Sequence, residues 1–376
     1  MKPEPHFAAF PMANPPSYSR WLATGSTLLA LVGGGGVLLR PFFEPRVTAL
    51  LAAGVLLAWF LALLVCTLSF RLNRHTAQCY REETQQVSQA WWAQHRRQVA
   101  LVESVLIGAA GTTDLHWRRV LAGKGSPPSV QEESGGQAIR LLQVFGADLV
   151  ERERQLARQL ATTWQQQRKP AALPALQCYW QGSPAGWSAF VQQMAQECPD
   201  VQLPEHPEPW QGMASLDAII ERLHGAPAEA RILCAGCQSS ASSRDARLPA
   251  GEAAVLWLLG TQGGARFTCG ERFAAEQDDL AEVALRAVRQ AELEKQAEAC
   301  VAFSQPEVTQ LGELGWPLNQ HQQDAYWGEL EGLQAMVVQT LAACHAEQHA
   351  SPCAWLASDP DHTLALGVVQ PDDASS

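Results

Sequence analysis

Beyond Gln296 the sequence contains no lysine or arginine, while acidic residues continue to Asp373. That absence excludes a polyanion-binding surface in the C-terminal stretch, because displacing counterions from nucleic acid needs clustered cations. The whole chain agrees: 27 Lys and Arg stand against 38 Asp and Glu in 376 residues, a formal net charge of -11. A partner docking on the C-terminal part is therefore expected to be basic or apolar. Also absent is G-x-S-x-G, the turn that exposes a nucleophilic serine in α/β hydrolases. No glycine-rich phosphate loop stands between a strand and a helix, since VGGGGV at Val32–Val37 lies inside an apolar run. The 10 cysteines form no dense framework, and a chain of this length needs no covalent staples. Free thiols in a reducing compartment are expected, with no cofactor and no metal.

Two long apolar runs dominate the N-terminus. WLATGSTLLALVGGGGVLL covers Trp21–Leu39, and the stronger ALLAAGVLLAWFLALLVCTLSF covers Ala49–Phe70. Neither carries a charge, and each is about long enough as a helix to cross a hydrocarbon core of roughly 30 Å. A cleaved secretory signal fits poorly, because a long polar segment precedes the first run and no small-x-small site follows it. The pattern predicts a two-helix transmembrane hairpin over about 21–39 and 49–70. Arg71, Arg74, Arg81, Arg96 and Arg97 follow it and Lys2 and Arg20 precede it, while the intervening turn holds Arg40, Arg46 and Glu44. The cation bias places both termini in the cytoplasm, with the chain in the inner (cytoplasmic) membrane.

The rest of the chain reads as a mixed-sheet, layered α/β body. Residues 1–20 form a tail, 21–70 the hairpin, 71–97 a juxtamembrane helix, 98–170 a first α/β portion, 171–371 a second, and 372–376 a tail. Strands are predicted at 99–108, 138–145, 176–180, 231–237, 251–260, 299–304, 353–358 and 363–370, with ARFTCGERF (265–273) as a hairpin. Helices are predicted at LHWRRVL, at 147–168, after the Ser183-Pro184 cap, over 213–224, at 276–296 and at 328–345. Residues 123–136 read as a loop. The helix-strand-strand order 214–224, 231–236, 252–259 recurs as 328–345, 353–358, 363–369, an echo that suggests a duplicated unit. Trp316, Tyr326 and Trp327, in the acidic, aromatic segment 313–332, fit either partner anchors or core, and core is favoured.

The candidates for chemistry are few. Cys234 and Cys237 have C-x-x-C spacing, but a redox dithiol sits at a helix start, where the dipole lowers the thiol pKa. Here the pair ends a strand and a Ser-rich loop follows, so buried strand thiols are the simpler reading. The other local cluster, Cys344, His345, His349 and Cys353, falls across a helix end and a strand start, and no metal is expected there.

The order ASLDAIIERL, ILCAG, Ser-rich loop and LPAGEAAVLWLLG over Met213–Gly260 resembles the middle of thiolase-like and ketoacyl-synthase-like proteins. The tail CAWLASDPDHTLALGVVQP is similar to the closing hairpin of the second half of that duplicated fold. The resemblance spans about Leu176–Pro371 and implies a thiolase-like second portion. It also implies a nucleophilic cysteine opening the helix at 213, where this chain has Gly212-Met213-Ala214-Ser215. Ser304-Gln305-Pro306-Glu307 stands where the family's His-Gly-Thr loop is expected, and the last hairpin has no Gly-His. Without thiolate, base and oxyanion partner the acyl-transfer mechanism has no parts.

The expectation is therefore a membrane-anchored, non-catalytic binding or adaptor protein with no catalytic residues. A membrane-anchored protein with such a degenerate body resembles accessory proteins of the bacterial type VI secretion system, of the lipase-adapter kind. That resemblance implies protein partners, a secreted effector and a spike protein. Two alternatives stand beside it: a thiol-dependent acyl-handling enzyme using Cys234 or Cys237 with His345 or His349 as base, and an immunity-type protein that binds one toxin.

Overall fold

Leucine and alanine fill Ala49–Phe70 without a proline or a charge, and propensity favours one unbroken helix there. In the computed structural model, which describes residues 4–38, 45–169, 173, 176–305, 310–359 and 361–372, that run belongs to α2, Pro45–His95. Proline opens it at a position where its missing N–H costs nothing. The 51-residue helix passes without a break from the apolar run into 71–95, so no separate juxtamembrane helix exists. α1 is Tyr18–Leu38. It runs antiparallel beside α2, with Gly25 against Trp59 and Gly36 against Thr48, and a side chain at either glycine would collide.

Among the described residues one helix, Arg46–His95, is long and apolar enough to cross a membrane, with a mean hydropathy of 2.7 in its most apolar window. The sequence pattern predicts two; α1 forms, but four consecutive glycines and the hydroxyls of Thr24, Ser26 and Thr27 dilute its apolar run. The turn with Arg40 and Glu44 lies outside the described residues. Before α1 the chain doubles back on α2: Tyr80 Oη donates to the Ala8 carbonyl at 2.9 Å, and Ala13 N–H donates to Asn73 Oδ1 at 2.9 Å.

Two compact units result, Met1–Trp92 and Ala93–Ser376. The second is the body, and its strands are β1 Gln98–Gly108, β2 Gln131–Glu133, β3 Gly136–Ala138, β4 Gln177–Gln181, β5 Glu208–Pro209, β6 Arg231–Ser239 and β7 Glu252–Gly260. They continue with β8 Arg266–Thr268, β9 Glu271–Phe273, β10 Ala299–Ala302, β11 His321–Gln322, β12 Cys353–Ser358 and β13 Leu364–Gln370. Its helices are α3 Asp114–Leu121, α4 Leu149–Gln167, α5 Pro184–Glu197, α6 Met213–Leu223, α7 Leu280–Gln290, α8 Gln310–Glu313, α9 Asp324–Trp327 and α10 Gln334–His349.

All strands except the β2–β3 hairpin join one mixed sheet, ordered β11-β10-β12-β13-β8-β1-β7-β6-β4-β5. The order contains the same unit twice. Taking β1, β4, β5, β6 and β7 as first to fifth, their spatial order is third-second-fourth-fifth-first; β8, β10, β11, β12 and β13 repeat it. In each copy the fifth strand is antiparallel to its neighbours while second, third and fourth are parallel. The helix-strand-strand echo in the sequence is the last part of this five-strand repeat.

Alternate residues of the strands divide the core. Cys234, Val255 and Trp257 of the first copy and Val301, Cys353 and Trp355 of the second share a central cluster with α6 and α10. Their neighbours face outward: Leu233, Ala235 and Leu256 meet α4 and α5 in a second cluster, and Cys300, Ala354 and Leu356 meet α7 in a third. α10 is therefore buried nearly all round, as Met336, Val337, Val338, Leu341 and Ala342 are. Trp316 and Trp327 belong to these cores rather than to an exposed anchor.

Several predicted elements change. Of AIRLLQVF only Ala138 lies in a strand, at the end of β3; Ile139 N–H reaches the Ala250 carbonyl beside an isolated bridge, and beyond it Arg140 bonds to Glu133 and Ser239 and Leu141 N–H to Glu252. ARFTCGERF is not a hairpin: β8 and β9 are one first strand broken at Gly270 (φ +66°), and both pair with β13. The 123–136 loop includes β2. The helix at 276–296 shrinks to α7, the helix at 328–345 is displaced to α10, which starts at Gln334 and runs on to His349, and the 170/171 boundary lies outside the described residues. β1, from the first α/β portion, pairs with β7 and β8, so both portions share one sheet.

The segment 139–146 is held by charge. Glu252, 1% exposed at the start of β7, accepts from Arg152 Nε (2.7 Å) and Nη2 (2.8 Å), Ser239 Oγ (2.9 Å) and Leu141 N–H (2.9 Å). Arg140 forks onto Glu133 with two bonds of 2.9 Å and also reaches Ser239 Oγ and the Ser240 carbonyl. Removing one member of such a buried pair leaves the other uncompensated. Glu252→Ala is expected to lower the unfolding free energy by about 3–5 kcal/mol in urea titration of the detergent-solubilised chain. The Arg152→Met/Glu252→Leu double variant should recover part of that loss; a Glu252→Ala cost below about 1 kcal/mol contradicts the assignment.

Candidate functional site

In a parallel sheet, ligand crevices open beyond the carboxyl ends of the strands, where successive connections leave in opposite directions. In the second copy that point lies between β10 and β12, because the chain steps from β10 outward to β11 and returns to β12 on the other side. A cleft of about 550 Å³ opens there. Phe303, Trp316, Leu318 and Leu356 supply its apolar wall, and Gln305, Asn319, Gln320 and Gln322 its amides.

Ser304, just past β10, is fixed by Asp324 at the start of α9, whose carboxylate accepts from Ser304 N–H and Oγ–H, both at 3.0 Å. Arg247 reaches the same spot from the Ser-rich loop between β6 and β7, and its Nη2 donates to the Ser304 carbonyl and Oγ at 3.1 Å each. That loop is pinned at several points. A Cβ on Gly135 or Gly136 would strike the carbonyls of Ser242 and Ser243, so only glycine lets the β2–β3 turn press so closely. Glu329 N–H donates to Pro249 O, and Gly251 N–H to Glu329 O, at 2.8 Å each. The Ser-rich loop is thus a positioned arm rather than a free solvated loop.

Among the described residues lining the cleft, Arg247 is the one that ionises, and no thiol, imidazole or carboxylate lines it. Ser304 Oγ has its proton committed to Asp324. The arrangement can hold a ligand by charge, hydrogen bonds and apolar contact.

Cys234 and Cys237 are separated by three residues along β6, so they project to opposite faces of the sheet. Cys234 lies in the central cluster and Cys237 in the outer one, both fully buried. Burial pushes both thiols well above their ordinary pKa, and Cys237 Sγ donates to the Glu153 carbonyl at 3.5 Å. They do not form a dithiol pair. All ten cysteines are unpaired.

At the opening of α6 the side chain of Met213 packs inward: Gln339 Nε2 donates to its sulfur at 3.7 Å, and a Cβ on Gly270 would strike its methyl. Ser215 Oγ accepts from Gln211 N–H at 2.8 Å, so it serves the helix start. Sequence reasoning passed over a pair beside this point. Asp359, after β12, lies 3.8 Å from where a Gly212 Cβ would stand and holds His362 Nδ1 at 3.1 Å. DPDH reads as a simple connection, and only the fold brings it to the start of α6.

His345 and His349 sit one turn apart on α10, with ring centroids 4.4 Å apart, and His321 of β11 lies 5.2 Å from His345. The spacing H-x3-H is visible in the sequence; the third ring is not. No thiol hydrogen-bonds to these imidazoles among the described residues. Cys344 is half-buried and its thiol is pushed up to about 11 by burial, while Cys353 is fully buried in β12. Among the described residues no group of three His, Cys, Asp or Glu side chains is set to hold a metal ion.

No family model matches the chain, and no curated protein matches it. Among solved structures it is similar to ChlB3, described as an acyltransferase, at 16% identity and a TM-score of 0.47, covering 73% of this chain and 98% of that one. It is similar to a variant of OleA from Xanthomonas campestris (12%, TM-score 0.43, 73% and 98% covered) and to HMG-CoA synthase complexed with CoA (9%, TM-score 0.42, 73% and 82% covered). These neighbours are of the thiolase-like kind.

The imidazoles make stability pH-dependent in a defined direction. His345 is buried, its Nδ1 has no partner, and desolvation and then the charges of His349 and His321 hold its pKa down at about 4. Below about 6.5 the unfolded chain binds a proton that the folded chain refuses, so this contribution is complete above 6.5 and lost as pH falls to about 4. Asp217, pushed up to about 7 by burial, acts in the opposite sense, so the informative quantity is the difference from His345→Gln. Between pH 6.5 and 4 the unmodified chain should lose on the order of 2 kcal/mol relative to that variant in urea midpoints. Parallel pH profiles would contradict the assignment.

Proposed function

We propose that this protein is a membrane-anchored, non-catalytic adaptor whose body has a thiolase-like architecture emptied of acyl-transfer chemistry. One observation carries the reading: the opening of α6 holds Met213, packed inward, while the nearest C-x-x-C thiols are buried on opposite faces of β6. The five-strand unit present twice supports the architecture, and Asp359 with His362 beside Gly212 supports a site that keeps an oriented imidazole but has no nucleophile. The sequence resemblance to type VI secretion accessory proteins makes the partners a secreted effector and a spike protein.

Both apolar helices cross the inner membrane in this reading, with N-terminus and body in the cytoplasm. The support is a contact. Ala8 and Ala13 touch Tyr80 and Asn73, which follow the apolar run of α2, so the chain enters α1 on the side where α2 leaves the lipid. If α2 crosses, α1 has to cross as well to reach Pro45.

The reading is tested in two ways. An impermeant maleimide should label Cys79 and an introduced Ala8→Cys only after inner-membrane vesicles are oriented with their cytoplasmic face outward; labelling of the two from opposite faces rejects the two-span topology. Affinity purification from solubilised native membranes should yield a stoichiometric protein partner, and the purified chain should leave acyl-thioesters intact. Thioester turnover dependent on Cys234 or Cys237 would establish the acyl-handling alternative instead.

A further inference from the structure

The cleft beyond β10 and β12 contains two polar groups whose bonding is incomplete. Trp316 is 3% exposed and lines the cleft, yet its indole Nε1–H has no acceptor. A buried donor left unanswered costs about 1–3 kcal/mol, and in a native protein it calls for an explanation. Arg247 spends Nη2 on Ser304 and has no carboxylate partner among the described residues. This is notable in a chain with 38 acidic residues against 27 basic ones, in which Arg140, Arg152 and Arg286 are each paired. Bonding to Ser304 orients the guanidinium without neutralising it.

Both groups ask for acceptors. Arg247 at one side of the cleft matches a carboxylate, which guanidinium forks hold best. The indole N–H matches a carbonyl. Gln305, Asn319, Gln320 and Gln322 can donate and accept at once, which suits successive peptide groups, and the wall of Phe303, Leu318 and Leu356 suits aliphatic side chains. The volume of about 550 Å³ is of the size that holds a few residues. β11, His321–Gln322, ends the sheet order on this side, and its Gln322 lines the cleft.

We infer that this cleft is the site where the adaptor takes a short extended peptide segment of its partner, anchored by a carboxylate on Arg247. The inference rests on the reading of the body as a protein-binding module. The carboxylate comes from an acidic side chain or from a chain terminus, and the probes separate these sources.

Fluorescence anisotropy of the solubilised full chain uses three fluorescein-labelled octapeptides. One is Gly-Ser-Leu-Asp-Leu-Asp-Ser-Gly amide, the second replaces both aspartates by asparagine, and the third is the asparagine peptide with a free C-terminal carboxylate. At least one carboxylate-bearing peptide should bind, about tenfold or more tightly than the asparagine amide, and the preferred one identifies the source. Arg247→Gln, at an exposed position, should remove that preference. Trp316→Phe keeps a ring and removes the N–H, and should weaken binding several-fold. Equal binding of all three peptides, absence of binding at about 1 mM, or a preference unchanged in Arg247→Gln overturns the inference. If native partner recovery is the same for Arg247→Gln as for the unaltered chain, the cleft assignment falls and the adaptor reading stands.

Discussion

The body depends on a carboxylate that has been taken out of water and fully answered. Glu252 accepts four donors on its two oxygens, from Arg152 twice, Ser239 and the Leu141 backbone. An isolated charge at 1% exposure would cost several kcal/mol, so the donors cannot be dispensed with one at a time. The consequences spread in three directions. β7 is fixed at its first residue, and with it the β6–β7 register that pairs Cys234 with Trp257 and Cys237 with Ala254. The segment 139–146 is drawn onto the sheet in place of a strand. Arg140, next to the same serine, fixes the end of β6 and the arm that carries Arg247.

Register then decides chemistry. Once β6 is set, a spacing of three sends its thiols to opposite faces, where burial keeps them protonated. The same duplicated layering that encloses them puts α6 and α10 in the middle, and Met213 fills the space at the α6 opening beside Trp355 and Gly270. What remains open is the cleft beyond β10, where the sheet order reverses and amides, an arginine and an indole face a common volume. The proposed peptide site is that cleft.

Much of this was legible before any coordinates. The apolar runs, the Ser183-Pro184 helix start, β1, β6, β7, β12 and β13, and the burial of Cys234 and Cys237 follow from periodicity and capping. The misses share a cause. AIRLLQVF has strand composition, but Arg140 finds its partners at Glu133 and Ser239, 7 and 99 residues away in sequence, and local propensity does not record that. ARFTCGERF looks like a hairpin because a glycine divides it; pairing with β13, almost 100 residues later, makes it one broken strand. The cleft was invisible because Arg247, Ser304 and Trp316 have nothing in common along the chain. The two-span pattern is the opposite case, in which local composition predicts more than the described helices meet.

The central proposal is that neither Cys234 nor Cys237 serves as a nucleophile in the folded body. Residue-resolved alkylation by iodoacetamide at neutral pH measures this directly on the folded, solubilised chain. Exposed Cys79 should react first, with Cys234 and Cys237 unmodified until denaturant opens the sheet. Modification of either buried thiol in the folded protein, as fast as or faster than Cys79, would contradict the account.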